Sequence, residues 1–256
     1  MKRLWINADD FGLTPAVTAG ICEAVLRGAV TTTTAMVCGD DGGVSIARFA
    51  PELPGRIGLH LQLTDGVPRC APEEVPSLVG PDGRFPRKRL GVGRLDPGEV
   101  EREWEAQLAA LRALGVEPSH LDSHHHIHQL PAAFEVYMEL ARRHGLPARG
   151  GNPRHTQALR ARGVVTADVF TSGFYQEPLD VARFVAVAAE AAGQAPDGGL
   201  VELMCHPGRV DDVLRRRSSY AGERELELAV LCAPELPERL RERGIGLARP
   251  DELRAR

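Results

Sequence analysis

Histidine and aspartate are concentrated between His120 and His128, where five of the nine histidines fall within nine positions around Asp122. A buried imidazole needs a partner for each of its two nitrogens, so packing alone makes such a concentration costly. A metal ion removes the difficulty by binding one nitrogen per ring, while a carboxylate or carbonyl binds the other. The cluster therefore predicts a metal site. A run of surface histidines without function is disfavoured, because the apolar residues Leu121 and Ile127 lie among them.

The backbone of this cluster can bring ligands together in two ways. If it is helical, His124 and His128 form an i, i+4 pair on one face of the helix. If it is extended, the side-chain period of two places four residues on one face, namely Asp122, His124, His126 and His128. The residues by themselves leave both conformations open.

Three other apolar segments are predicted to be strands that carry Asp or His in or just after them. Adjacent acidic residues at the end of a strand repel each other unless a cation or a shared proton lies between them. A single histidine inside a strand is more often a hydrogen-bonded core residue than a ligand, so only the recurrence of the pattern is informative. The segments are Leu4–Ala8 followed by Asp9 and Asp10, Ile57–Leu63 around His60, and Leu200–Cys205 followed by His206 and Pro207.

The composition excludes some function classes. A chain of 256 residues that is 43% hydrophobic can bury a large core, and we expect one domain over residues 1–256. A net charge of −4 gives no basic footprint for nucleic acid. The sequence offers neither a stretch long enough to span a membrane nor the apolar core of a signal peptide at its start. Five cysteines without a Cys-x-x-Cys pair are typical of reduced thiols, so we expect a cytoplasmic protein.

Strand-like and helix-like segments alternate along the chain. Thr14 and Pro15 predict the start of a helix that ends at Gly28, and further helices are predicted over 44–50, 98–114, 131–144, 179–192, 224–231 and 237–243. A strand is predicted over 31–38, and weaker ones near Leu146–Arg149, Val169–Ser172 and Ile245–Ala248. The proline-rich stretch from Thr64 to Pro97 interrupts this order, and a loop of such length predicts a lid or a cleft wall.

This alternation predicts an α/β fold with a parallel sheet whose faces are covered by helices. Chemistry at the ends of many strands is typical of a barrel, in which one rim collects all the carboxyl ends. An open doubly wound sheet usually shows a glycine-rich phosphate turn after its first strand, and none follows Ala8 here. We therefore predict a (β/α) barrel with eight strands or fewer.

Four segments resemble, in the same order, the motifs of the YdjC/ChbG-like carbohydrate deacetylase family: Asn7–Gly12, Gly58–His60, His120–His128 and Glu202–Pro207. The resemblance spans nearly the whole chain. It implies a distorted TIM-like barrel related to the polysaccharide deacetylases, and hydrolysis of an N-acetyl group from an amino sugar or chitooligosaccharide. The Thr64–Pro97 loop matches no family pattern, so the exact sugar stays open.

By the same resemblance, Asp10, His60 and His124 are the ligands of one divalent metal ion. The family is associated with magnesium, whereas two imidazoles and one carboxylate suit zinc or another transition metal better. Among the remaining imidazoles, we expect His126 or His128 to line the cleft or to bind the substrate. Assembly into a homo-oligomer stays open.

The chemistry of amide hydrolysis suggests roles for the remaining residues. A carboxylate must take a proton from water, and an acid must protonate the departing amine. We predict Asp9 as the base and His206 as the acid, with His206 cationic at the working pH and Glu202 as a candidate partner for it. The alternative for Asp9 is to orient a ligand imidazole, a role for which Asp122 competes.

Other function classes fit the sequence less well. A two-histidine, one-carboxylate site can hold iron for oxygenation, but such sites usually lie on all-β folds. A glycoside hydrolase needs two carboxylates flanking the scissile bond, and the histidine cluster would then have no role. A metal-dependent amidohydrolase acting on another acylated small molecule, or a non-catalytic protein that binds sugar or metal, stays open.

Overall fold

A computed structural model describes residues 1–41, 43–176 and 178–253. Its strands are all parallel and form one sheet with the order β4-β3-β2-β1-β6-β5, while β7 pairs with the start of β1. The strands are β1 (Lys2–Phe11), β2 (Thr32–Ala35), β3 (Ile57–Leu61), β4 (Leu121–Ser123), β5 (Val169–Thr171), β6 (Leu200–Cys205) and β7 (Ile245–Leu247).

Helices connect successive strands and cover the sheet. This confirms the predicted α/β barrel with fewer than eight strands in the described part of the chain. The helices are α1 (Pro15–Arg27), α2 (Val44–Phe49), α3 (Pro97–Ala113), α4 (Pro131–His144), α5 (Pro153–Ala161), α6 (Val181–Gln194), α7 (Asp212–Arg217), α8 (Gly222–Leu231) and α9 (Leu236–Arg241).

Local signals set several element ends where the sequence predicts them. The Thr14 hydroxyl accepts a hydrogen bond from the Val17 amide (3.2 Å), and Pro15 starts α1. The helix α4 ends before Gly145, which adopts the left-handed conformation with φ 61°. At both places the deciding contacts lie within a few residues, so the sequence alone suffices.

Other predictions were wrong because their signal was weak or non-local. The expected strand over Leu146–Arg149 is reduced to a single bridge between Ala148 and Leu121. The helices α5 and α7 were not predicted, since α5 buries only Thr156 and Leu159 and α7 buries only Leu214. So few buried positions leave little helical periodicity to detect.

The stretch from Thr64 to Pro97 is irregular apart from two short 3-10 turns, Pro72–Glu74 and Arg89–Gly91. Its start is fixed to α3 by the fully buried carboxylate of Glu103, which accepts hydrogen bonds from the backbone amides of Arg69 (2.9 and 3.0 Å) and Cys70 (2.9 Å). Within the described residues, no helix is long and apolar enough to cross a membrane.

Candidate active site

The carboxyl ends of the central strands meet at one rim of the sheet, as expected for parallel strands in a barrel. Asp10 lies at the end of β1, His60 near the end of β3, and His206 directly after β6. A cavity of about 770 Å³ opens at this rim. Its wall includes all five residues to which a catalytic or ligand role was assigned from the sequence, namely Asp9, Asp10, His60, His124 and His206.

The end of β1 departs from a regular strand. Successive residues of a strand point to opposite faces, which would send the side chains of Asp9 and Asp10 apart. Instead, the pairing of β1 with β2 shifts between Ala8 and Phe11, and Asp10 adopts φ 72°. Such a conformation is costly for a residue with a side chain and persists only where its surroundings hold it. The irregularity lets both carboxylates line the cavity.

Within the histidine cluster, Leu121–Ser123 is extended as β4, whereas His124–Gln129 is neither extended nor α-helical, so neither predicted conformation holds for the whole cluster. After β4 the chain forms a 3-10 stretch, His124–Gln129, interrupted by left-handed backbone at His125 (φ 54°) and His126 (φ 51°). The guanidinium of Arg89 donates to the carbonyl oxygens of both residues, at 3.4 and 3.2 Å. The rings of His124 and His125 lie against each other with centroids 3.8 Å apart, whereas the rings of His126 and His128 are edge to face at 6.1 Å.

Three ligand atoms converge at the cavity wall. Oδ1 of Asp10 lies 3.3 Å from Nε2 of His60 and 3.1 Å from Nδ1 of His124. The three residues form a group that could hold a metal ion, with one ligand atom of each within 4.8 Å of the others. Two imidazoles and a carboxylate are a donor set that suits a divalent transition metal and leaves positions for water and substrate.

His60 is oriented through its other ring nitrogen. Nδ1 of His60 lies 2.6 Å from Oδ1 of Asp122, and Oδ2 of Asp122 accepts from the Thr34 hydroxyl (3.0 Å). A carboxylate behind a histidine is the usual arrangement at metal sites, where it fixes the ring and its tautomer. Burial lowers the pKa of His60, but the carboxylates of Asp122 and Asp10 outweigh it and raise the pKa to about 10. Asp122 thus orients a proposed ligand.

A buried arginine that the sequence analysis missed holds the carboxylates together. Arg149 is 0% exposed and donates two hydrogen bonds to Asp9, at 2.7 and 2.8 Å. Its guanidinium also contacts Asp122 (2.9 Å) and Glu202 (2.6 Å). Burial alone would raise the pKa of Asp9, but Arg149 holds that pKa well below its usual range. Arg149 had been assigned only to a weak strand, since a lone arginine in a sequence carries no sign of its partners.

Comparison with known proteins places the chain in a family. The sequence model of the YdjC-like protein family matches residues 3–242. The chain belongs to the YdjC family. It is 38% identical over 244 residues to a carbohydrate deacetylase of Geobacillus stearothermophilus, covering 94% of each chain. It is 36% identical over 259 residues to a chitooligosaccharide deacetylase of Serratia marcescens, covering 98% of this chain and 99% of the relative.

Solved structures confirm the fold of this YdjC-family chain. A protein of Enterococcus faecalis V583, described in terms of cellobiose-phosphate cleavage, has a TM-score of 0.88 and 35% identity, with 98% of both chains covered. A Streptococcus mutans CE4 esterase has a TM-score of 0.51 at 16% identity and covers 96% of this chain and 85% of that one. The second likeness concerns the fold alone. The predicted family resemblance is confirmed.

His206 has surroundings that differ from those expected. Glu202 was wrong as its partner, because Oε1 of Glu202 binds Arg149 instead. The carboxylate near His206 belongs to Glu227 of α8, which accepts from the backbone amide of His206 (2.5 Å) and from the hydroxyl of Tyr220 (2.5 Å). Burial lowers the pKa of His206 to about 4. This direction is opposite to the one expected for a cationic ring, and the acid role of His206 stays a prediction.

The remaining residues of the cluster divide between the cavity and the core. His126 lines the cavity. His128 is fully buried, bonded to the Ser123 hydroxyl (2.6 Å) and stacked on Tyr137 with ring centroids 4.7 Å apart, so it cannot contact a substrate. The predicted cleft wall is present, because Asp65, Arg87, Lys88 and Gly91 of the Thr64–Pro97 loop line the cavity.

Proposed function

We propose that this protein hydrolyses the N-acetyl group of an amino sugar or chitooligosaccharide and releases acetate. The observation that carries the proposal is the convergence of Asp10, His60 and His124 at a cavity wall. Support comes from relatives that are named carbohydrate and chitooligosaccharide deacetylases and match over nearly their full length.

One divalent metal ion would be held by Asp10, His60 and His124. When bound, such an ion polarises the acetyl carbonyl and lowers the pKa of water towards 7. Magnesium is the expectation from the family, and zinc or another transition metal is the expectation from the two imidazole ligands. Asp122 would keep the His60 ring in place with Nε2 turned to the site.

Asp9 is proposed to remove the proton from the attacking water. Arg149 keeps Asp9 ionised, so this carboxylate is always in the form that accepts a proton. The same low pKa makes it a weak base, so the proton transfer would require water whose own pKa is already lowered. One ligand atom each from Asp9, His60 and Asp122 lie within 4.8 Å of one another, so Asp9 is close to the proposed metal ligands.

His206 is proposed to donate a proton to the departing amine. Burial lowers the pKa of the His206 ring in the ligand-free protein, so the ring must take up the proton during the reaction, as negative charge developing on the acetyl group raises its pKa. Water supplies both protons: the one that Asp9 removes would pass to the amine by way of His206, and the second leaves with the acetic acid and protonates the amine, so the products are acetate and the protonated amine.

The test is acetate release from N-acetylated sugars, beginning with chitobiose and measured by mass spectrometry. Chelator-treated protein should be inactive, and adding back a divalent ion should restore the reaction. Asp9→Asn should abolish acetate release while the metal content stays unchanged. A protein that binds metal and chitobiose yet releases no acetate with any N-acetyl sugar would instead be a binding protein.

A further inference from the structure

A second arginine, Arg224, reaches the cavity from the first turn of α8. Its side chain is 4% exposed and lines the cavity. Nη2 donates to Oδ2 of Asp10 at 2.6 Å, and Nε donates to the carbonyl oxygen of Tyr220 at 3.2 Å. The carbonyl oxygen of Arg224 accepts from the amide of Gly208 at 3.0 Å, which ties α8 to the turn after β6.

These contacts leave the two oxygens of Asp10 with different roles. Oδ2 is bound to Arg224, whereas Oδ1 faces both His60 and His124. A guanidinium that binds one oxygen leaves the other as the ligand atom. It also places a positive charge beside the point where the proposed metal and the acetyl group would meet.

The remaining nitrogen of Arg224, Nη1, is buried without a hydrogen-bond partner among the described residues. A buried, charged N–H group without a partner is costly, so it indicates a partner that arrives with a ligand. The planar guanidinium matches carboxylate oxygens better than any other side chain does. The product of the proposed reaction is acetate, which is a carboxylate. One of its two oxygens is the carbonyl oxygen of the substrate's acetyl group, so both would occupy the same place in the site.

We propose that Arg224 is an acyl-binding residue, whose Nη1 donates to the oxygen of the substrate's acetyl group and then to the acetate product. This inference rests on the proposed function and deepens it, because it assigns the part of the site that recognises the acyl group. It predicts that the protein binds acetate itself, a small carboxylate, in the absence of any sugar.

The test measures binding of carbon-13-labelled acetate to protein saturated with zinc, by NMR and calorimetry. Arg224→Met should weaken acetate binding by roughly tenfold or more, the usual effect of losing a hydrogen bond to a charged group. Arg224→Lys should fall between, because it keeps the charge and loses the planar fork. The matched control is Arg217→Met, which removes a charge from the same cavity wall where Arg217 is paired with Asp40 and Asp65.

The control should change acetate affinity by about twofold or less, because the charge of Arg217 is already paired with Asp40 and Asp65 and is more exposed to solvent than that of Arg224. Acetate affinity that is unchanged in both Arg224 variants, or equally reduced by Arg217→Met, overturns the proposal. Thermal unfolding and zinc content are measured for each variant. If Arg224→Met does not fold, the acetate affinity of Arg224→Lys is the test of the proposal. A wild-type protein that binds acetate through Arg224 but releases none from N-acetyl sugars would refute the proposed function and not this site.

Discussion

A single guanidinium organises the negative charge behind the cavity. Arg149 contacts Asp9, Asp122 and Glu202, all of which are buried. Buried charges are tolerated only when they are paired, so Arg149 allows three carboxylates to lie near the candidate metal ligands. Glu202, with its pKa raised to about 7 by burial despite Arg149, is the member most easily protonated.

The ligand assignment is tested at the residue scale by metal analysis. We expect about one divalent ion per chain after mild purification, and a sharp loss of occupancy in His60→Ala and in His124→Ala, since each removes a ligand whose bond contributes to metal affinity. His144→Ala is the control, because His144 binds Glu105 on the outside of the barrel. Full occupancy in either ligand variant would show that the assignment is wrong.

The role of His206 has a separate signature. His206→Ala should leave the metal content unchanged and reduce turnover by roughly 10²–10⁴-fold, the usual span for a general acid. An ester analogue should be less affected than the amide, because an alkoxide leaves more readily than an amine anion. Metal loss in the variant would make His206 a ligand, and an undiminished rate on the amide would exclude the acid role.

At the scale of elements, the position of the Thr64–Pro97 loop depends on contacts with α3. Glu103 satisfies the backbone amides of Arg69 and Cys70 at the start of the loop and also accepts from the side chain of Gln107 (2.8 Å). Glu103→Ala leaves these buried donors unpaired, at a cost of about 1–3 kcal/mol per group. We therefore expect faster tryptic cleavage within the loop, at sites such as Arg87 and Lys88, and a lower midpoint of urea unfolding.

Glu101→Ala is the matched control for that experiment. It lies on the same helix, and its carboxylate pairs with Arg143 at the surface (2.7 Å). Exposed pairs contribute little to stability, so loop cleavage and the urea midpoint should stay near the wild-type values. Equal rates of tryptic cleavage within the loop in Glu103→Ala and Glu101→Ala would contradict the anchoring role of Glu103.

At the scale of the whole molecule, buried titratable groups set the pH dependence of the metal-free protein. Burial lowers the pKa of five histidines and raises that of two glutamates. The values are about 3 for His126, about 4 for His125 and His206, well below 6.5 for His128, below 6.5 for His155, and about 7 for both Glu202 and Glu227. Between pH 4.5 and 6.5 the unfolded chain holds about three more protons on His126, His128 and His206 and two fewer on the glutamates, a net uptake of at least about one proton, to which the more exposed His125 and His155 add.

The free energy of unfolding should therefore fall by roughly 1 kcal/mol or more for each pH unit below 6.5. Above pH 6.5 the sign reverses, because the folded state keeps the proton on His60, whose pKa is raised to about 10, while the unfolded state loses it. Maximum stability is expected near pH 6.5, as measured by urea unfolding of chelator-treated protein. A bound metal replaces the proton on His60, so metal should remove the decline towards alkaline pH. A urea midpoint that rises steadily to pH 8.5 without metal would contradict this.

The sequence by itself determined the local features of this protein. Strand β6 and helix α4 have the bounds that were predicted, because period, caps and flanking proline act within a few residues. The acidic and histidine residues at the strand ends also indicated which rim would carry the site. The parallel sheet then brought Asp10, His60 and His124 together from three separate segments, as the barrel prediction requires.

The tertiary structure alone decided the conformation of Asp10 and of the histidine cluster, and the partners of the buried charges. Arg149, Arg224 and Glu227 complete the site from segments to which no function had been assigned. The two arginines act across large distances in sequence, 140 positions between Asp9 and Arg149 and 214 between Asp10 and Arg224. The local sequence pattern indicates which face of an element a residue occupies. The partner of a buried charge depends instead on which distant segment packs against it. That packing is fixed only when the whole sheet and its helices have assembled.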